Sequence, residues 1–288
     1  MPARALTDHA IRSAMLKACR LDVVAFKPGN VSILSPGHRM TAADFLKSAA
    51  VAMPAVCDNE IPVGERMARA ITSTQESVGC NTNLGIVLLL APMAAAATQM
   101  NRQTSLRAAL TNVLAGLSVA DTHACFRAIR AAGPAGLGTA AEQDVNDEAG
   151  QPLQQAMALA AHRDRIAASY SSVYAEIFEF GLPRLRSFLD KWRSLSWAAT
   201  LCYLELLTVA PDSHVGRKFG FELARAISDE VAPVTTALKA CENPRELMGR
   251  LSALDKSLKQ RGINPGTCAD LTVATIAEFL LTHRAGLD

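Results

Sequence analysis

Three polar side chains that could contact a ligand stand together at Asn81-Thr82-Asn83, directly before an apolar run that contains Gly85. Buried amides and hydroxyls must be hydrogen-bonded, so these groups either cap a helix or bind a ligand. Their chemistry suits hydrogen bonds to ribose hydroxyls or to the edge of a base better than it suits proton transfer. The pattern alone leaves both roles open.

A group of carboxylates follows in the segment 133–151, the longest stretch without a helical pattern. Glu142, Asp144, Asp147 and Glu148 fall in this segment with almost no apolar residue between them. Hard cations such as Mg²⁺ prefer carboxylate oxygens, and a carboxylate can also accept a proton. The segment is therefore either a solvated acidic loop or a magnesium or general-base site.

Basic residues and histidines stand beside backbone turns at several other places. Glycine turns let the backbone approach phosphates closely, and helix starts favour anions. Either histidine could donate a proton to a departing base, since imidazole titrates near neutral pH. The alternative is a capped helix start with a solvated basic face. The candidate phosphate and nucleotide contacts from these turns are Lys27, Pro28, Gly29, Asn30, His38, His214, Arg217 and Lys218.

The elements that must position these residues all follow a helical pattern. The run Leu84–Ala97 is apolar on every side, which predicts a central, fully buried helix. We expect one long helical pattern from Pro152 to about Phe180, with Arg163 and Asp164 in its middle as a structural pair. No segment predicts a strand. The sequence thus predicts one all-α domain over residues 1–288, with a ligand pocket at helix ends.

The composition excludes several classes of protein. The 288 residues carry a net charge of +2, which gives no reason to expect a nucleic-acid partner. The seven cysteines are scattered without a CxxC pair, as is typical of a reduced, cytoplasmic protein. Residues 1–20 show no signal-peptide pattern, and the run Leu84–Ala97 is too short to span a membrane. Long apolar helices are compatible with a homodimer.

Several loops, in this order and spacing, resemble the triphosphoribosyl-dephospho-CoA synthase family, whose pattern runs PKPGLVD, GAHxDM, NTHKG, DTN and SPGGSADLL. The resemblance covers nearly the whole chain. Ser32 stands where the family has aspartate and Leu84 where it has lysine, which is similar to the divergent branch found in methanogens and in methylotrophs that use tetrahydromethanopterin. The matching segments are Lys27–Asn30, Pro36–Met40, Asn81–Gly85, Asp212–His214 with Arg217-Lys218, and Asn264–Leu271.

The resemblance implies a nucleotide-dependent transferase. In the family reaction a ribose hydroxyl of 3′-dephospho-CoA attacks C1 of the ATP ribose, and adenine is released. It implies ATP and a CoA-like molecule as substrates, Mg²⁺ as cofactor, and an acceptor changed towards one-carbon cofactor metabolism. It adds Asn264, Gly266 and Thr267 to the nucleotide contacts. The expected catalytic residues are Asp147, Glu148 and Asp212, and the expected metal ligands are Asp144, Asp147 and Asp212.

Two other functions stay open. The first is a magnesium-dependent hydrolase of N-glycosides or nucleotides, which would use a similar all-α carboxylate site. The second is a non-catalytic nucleotide-binding protein, which the departures at Ser32 and Leu84 would favour. Asp270, in the last apolar helix, could instead bond the turn Asn264–Thr267 in a structural role.

Overall fold

Helices joined by turns make up the computed structural model, which describes residues 6–139 and 142–283. Among these residues there is no β-sheet, only two isolated bridges. The all-α prediction is confirmed, whereas part of the segment used to judge a signal peptide, residues 1–5, lies outside the described residues. The helices are α1 (Asp8–Val24), α2 (Ala42–Val56), α3 (Val63–Val78), α4 (Leu84–Thr98), α5 (Leu106–Ala115), α6 (Val119–Ala132), α7 (Leu153–Ala160), α8 (Arg165–Ser171), α9 (Leu182–Trp192), α10 (Leu195–Val209), α11 (Ser213–Phe219), α12 (Phe221–Ala240), α13 (Met248–Gln260) and α14 (Gly266–Thr282).

Helix α4 is the centre of the fold, as the apolar run predicts. Every residue from Ile86 to Ala97 is buried, and the helix packs against α1, α3, α5 and α14. A helix that is apolar on all sides must be covered on all sides, so the others surround it. Within residues 6–139 and 142–283, no helix is long and apolar enough to cross a lipid bilayer.

The prediction of one long helix over 152–180 is wrong. The chain breaks after α7, restarts at α8, and then passes through a π-helix at Glu176–Gly181 into α9. Asp164 interrupts the expected helix, because it is the N-cap of α8. Its side chain accepts hydrogen bonds from the backbone N–H groups of Ile166 and Ala167. Arg163 and Asp164 therefore lie in a turn and not in the middle of a helix.

Tyr170 compensates for the proline inside α4. Pro92 has no N–H, so the carbonyl of Leu88 loses its helical partner. The buried hydroxyl of Tyr170 donates to that carbonyl oxygen at 2.7 Å. The break between α7 and α8 thus places a side chain that completes the hydrogen bonding of the central helix.

We expect Tyr170→Phe to lower the free energy of unfolding by about 1–3 kcal/mol, because it leaves the buried Leu88 carbonyl without a donor. In a Pro92→Ala background the loss should be smaller, since the backbone N–H that this substitution restores can donate to Leu88. Urea unfolding of the four proteins in this double-mutant cycle measures the coupling. Equal losses in both backgrounds would contradict the compensation.

Candidate functional site

Four helices begin around one cavity. The N-terminal ends of α4, α8, α11 and α14 all contribute to its lining, and it encloses about 1450 Å³ of empty space, part of it open to solvent. Helix N-termini carry unpaired N–H groups and the positive end of the helix dipole, so their convergence favours an anionic ligand. The predicted site residues that line it are Asn30, Asn81, Thr82, Asn83, Gly85, Asp144, His214, Arg217, Asn264, Gly266 and Thr267.

The polar cluster at the start of α4 has both structural and ligand-facing groups. Asn81 Oδ1 accepts from the N–H of Leu84 at 3.1 Å, Thr82 donates to the hydroxyl of Ser48 at 2.6 Å, and the amide nitrogen of Asn83 donates to Thr74. The Oδ1 atom of Asn83 has no partner among the described residues, although it is buried. An orphaned acceptor beside a cavity indicates a hydrogen bond that a ligand or water completes.

Gly85 allows the first turn of α4 to approach the carboxylate of Asp270 on α14. A Cβ atom at Gly85 would overlap the Oδ2 atom of Asp270. Asp270 lines the same cavity and accepts no hydrogen bond from a described residue, so it does not bond the Asn264–Thr267 turn as one sequence hypothesis held. The absence of a side chain at Gly85 is therefore what lets this carboxylate sit at the helix start.

We expect Gly85→Ala to displace the carboxylate of Asp270 and to reduce any activity of the cavity, with little change in fold. Gly249→Ala is the matched control, since a Cβ there meets no atom within 4 Å. Activity and thermal unfolding of both variants check this. An active Gly85→Ala protein would show that the close approach is unimportant.

A buried ion pair stands behind Asp270. Asp22 on α1 lines the cavity and pairs with Lys27, whose side chain is only 1% exposed. Burial raises the pKa of Asp270 well above its ordinary value, and the charges of Asp22 and Asp212 raise this pKa further. Lys27 and Arg217 oppose that rise. The cavity therefore holds two neighbouring carboxylates, one paired with Lys27 and one whose pKa is raised.

The turn after Lys27 is held from inside the protein. The carbonyl of Pro28 accepts from the hydroxyl of Tyr203 at 2.7 Å, and the N–H of Gly29 donates to Asp255 at 2.8 Å. His38 bonds the carbonyl of Gly29 at 2.8 Å. Of this turn, only Asn30 lines the cavity. The other predicted residues of this region lie outside the cavity lining and position Asn30 and Asp22. They are Lys27, Pro28, Gly29 and His38.

Of the basic residues of α11, some line the cavity and one lies outside it. Arg217 lines the cavity and pairs with Asp164, yet its buried Nε atom has no partner among the described residues. His214 lines the cavity as well, and burial together with the charges of Arg217 and Lys218 lowers its pKa. Lys218 is exposed outside the lining. A neutral imidazole and a guanidinium thus face the same space.

Asp212 is a structural clamp between α11 and α14. One carboxylate oxygen accepts from the N–H of Val215 at 3.0 Å and the other from the N–H of Cys268 at 2.8 Å, and the side chain is fully buried outside the cavity lining. Thr267 accepts from the N–H of His214, and Asn264 accepts from Asn30. These bonds hold the helix starts together at the cavity wall.

The acidic segment places its carboxylates on different sides. Asp144 is buried and lines the cavity, and its Oδ1 atom holds the turn to Asn146. Asp147 and Glu148 are exposed and lie outside the lining. In the described part of the chain, no three His, Cys, Asp or Glu side chains cluster as a metal site. The structure thus brings one of the three expected metal ligands, Asp144, to the cavity.

The sequence analysis did not predict several charged residues of the cavity lining as site residues, among them Asp22, Asp270 and Arg163. A signal exists for the two aspartates. Asp22 continues the buried stripe of Met15, Ala18 and Cys19 on α1, and Asp270 is one of only two charged residues, with Glu278, in the helix α14. Such buried carboxylates need a partner or a function. Arg163 was not predicted to line a cavity, because it was expected in the middle of a long helix and not in the turn where it lies.

The chain is similar to proteins of one described family. The family described as ATP:dephospho-CoA triphosphoribosyl transferase matches residues 8–287. A crystal structure from Archaeoglobus fulgidus, described provisionally as a triphosphoribosyl-dephospho-CoA synthase, is similar, with a TM-score of 0.63 and 25% identity over 83% of this chain and 99% of that one. A search of curated proteins gave no match.

Proposed function

Because the chain belongs to the ATP:dephospho-CoA triphosphoribosyl transferase family and is a transferase, we propose that this cavity joins C1 of the ATP ribose to a hydroxyl of a dephospho-CoA-like acceptor and releases adenine. The observation that carries the proposal is the contact between Gly85 and Asp270. It places a carboxylate without a hydrogen-bond partner among the described residues at a helix start. The reaction needs a proton acceptor beside a polyphosphate site. The contact puts the carboxylate of Asp270, a possible proton acceptor, next to the start of α4, where phosphates can bind.

Asp270 is the proposed proton acceptor. Its raised pKa makes it a stronger base than a solvated carboxylate, which suits removal of a proton from an attacking hydroxyl. Its negative charge also stabilises a ribose with oxocarbenium character at C1. Asp22 is a second carboxylate close to Asp270, and the charge of Lys27 balances its negative charge. Asp147 and Glu148 lie too exposed for this role.

Arg217 and His214 are the proposed triphosphate contacts, together with the starts of α4 and α14. The N–H groups of Gly85 and Thr267 have no hydrogen-bond partner among the described residues, and both residues line the cavity. The orphaned Nε atom of Arg217 adds a cationic donor. Phosphates bind well where helix N-termini and a guanidinium converge.

The residues present also fit magnesium in the form that binds with a nucleotide. Mg²⁺ is commonly held by one or two carboxylates together with substrate phosphates and water. Asp144 supplies a carboxylate to the cavity lining that is neither the proposed base nor the partner of Lys27. We propose that a bound Mg²⁺ would be held by Asp144 together with substrate phosphates, and its chemistry there would be to neutralise phosphate charge.

The acceptor is proposed to differ from that of the resembled synthases. Leu84 lines the cavity where the family pattern has lysine, so one positive charge is missing from the start of α4. A less anionic acceptor or a shifted phosphate fits this change. The resemblance to the tetrahydromethanopterin-associated branch supports an acceptor in one-carbon cofactor metabolism.

Incubation with ATP, Mg²⁺ and dephospho-CoA tests the proposal. We expect free adenine by chromatography and a conjugate by mass spectrometry, heavier than the acceptor by a triphosphoribosyl group. Adenine without a conjugate would instead support the hydrolase, which the solvent-open side of the cavity allows. ATP binding without turnover of dephospho-CoA or of other CoA precursors would support a nucleotide-binding protein. Absence of nucleotide binding would refute the proposal.

A further inference from the structure

One side of the cavity is apolar. Helix α6 lines it with Phe126 and Ile129, helix α7 with Ala156, Met157 and Ala160, and helix α8 with Ile166 and Ala167. None of these seven residues carries a polar side-chain group. Three of them are alanines, whose side chains are single methyl groups. We call this set the apolar wall.

The apolar wall begins one helical turn from the proposed reaction centre. Leu88 lines the cavity on α4 and follows Gly85 by three residues, so the two lie on the same helix face about 5–6 Å apart. Gly85 contacts Asp270, and Leu88 leads towards α8, which packs against α4. A group bonded directly to the reacting ribose carbon could therefore reach the wall.

We propose that the apolar wall binds the adenine ring of ATP, the base that leaves. This inference rests on the proposed function and deepens it. The wall offers phosphates no side-chain donor, and the N–H groups of Ile166 and Ala167 on it already donate to Asp164. A flexible acceptor arm with several amides would leave those amides unpaired there, whereas the faces of a planar base need only apolar contact. The charged and polar part of the lining is left for ribose and triphosphate.

The assignment fits the balance of the reaction. The bond between C1 of the ribose and N9 of adenine breaks, and its electron pair leaves with the base. The acceptor oxygen forms the new bond to C1, and its proton passes to Asp270. Asp270 then releases this proton to N9 of the departing adenine, so no proton is gained or lost overall. A base held on the wall lies beside the carboxylate and away from the phosphate contacts.

Two alanines of α7 supply a matched pair of variants. Ala160 is half-buried and lines the cavity, whereas Ala158 is exposed on the same helix and does not. Ala160→Leu fills part of the space against the wall with an apolar group, which keeps the fold. We expect Ala160→Leu to weaken ATP binding by about tenfold or more, the worth of a stacked base. Ala158→Leu should bind ATP like the parent protein.

Calorimetry with ATP, inorganic triphosphate and dephospho-CoA separates the outcomes. The proposal expects Ala160→Leu to lose affinity for ATP while it keeps affinity for inorganic triphosphate and for dephospho-CoA. Loss confined to dephospho-CoA would assign the wall to the acceptor and overturn the proposal. Unchanged ATP affinity, or an equal loss for triphosphate, would overturn it as well. If the parent protein binds no ATP, the proposed function itself fails, which is a distinct result.

Discussion

Replacement of Asp270 by asparagine is expected to lower turnover by about 10²–10⁴-fold, the usual contribution of a positioned general base. Asparagine keeps the shape beside Gly85 but accepts no proton. Steady-state kinetics of adenine release, with ATP binding measured in parallel, check this. Turnover should fall while ATP affinity changes little, because the triphosphate contacts of α11 remain.

Asp147→Asn is the control for this prediction, since Asp147 is exposed and lies outside the cavity. Its turnover should stay at the parent level. If Asp147→Asn instead lost most of its turnover while Asp270→Asn stayed active, the general base would lie in the acidic segment, as the sequence pattern suggested.

The pH dependence follows from the same carboxyl group. Its pKa is raised by burial, by Asp22 and by Asp212, against the opposing charges of Lys27 and Arg217. As a base it acts only when deprotonated, so turnover should fall as pH drops through that raised pKa. The stability that it contributes is complete below its ordinary pKa and is lost as pH rises through the raised one. Asp270→Asn should therefore gain in melting temperature relative to the parent as pH rises.

Lys27→Met is expected to cost about 3–5 kcal/mol of stability, because it leaves the buried Asp22 without its ion-pair partner. The double variant Lys27→Met with Asp22→Asn should recover most of this loss, since it removes the unpaired charge. Urea unfolding measures both. Lys256→Met, at an exposed position, is the control and should unfold like the parent.

The sequence hypothesis for Lys27 predicts the opposite pattern. A lysine that bound phosphate would lie exposed to the cavity, and its loss would weaken ATP binding at unchanged stability. That result would contradict the buried pair. In our interpretation Lys27 is a positioning residue, so its removal also raises the pKa of Asp270, and the pH profile of turnover in the surviving folded protein should shift upward.

Local patterns were sufficient for most helices and their caps. The capping pairs Thr41 with Asp44 and Ser118 with Asp121 begin α2 and α6, and α4 is buried on all sides. Each of these features depends on residues within one or two turns of chain, so the sequence displays it directly. The failure at 152–180 has the same origin. Asp164 can continue or cap a helix, and only its surroundings decide.

The sequence by itself determined the fold class and, through the family resemblance, the kind of reaction to expect. It also identified the loops from which the cavity takes much of its polar lining. Only the tertiary structure decided which side chains face that cavity. Asp22 and Asp270 come from the first and last helices, and their proximity to Gly85 depends on how these helices pack around α4. The same packing turns Lys27 and Asp212 inward, because a charged group surrounded by protein must find an internal partner.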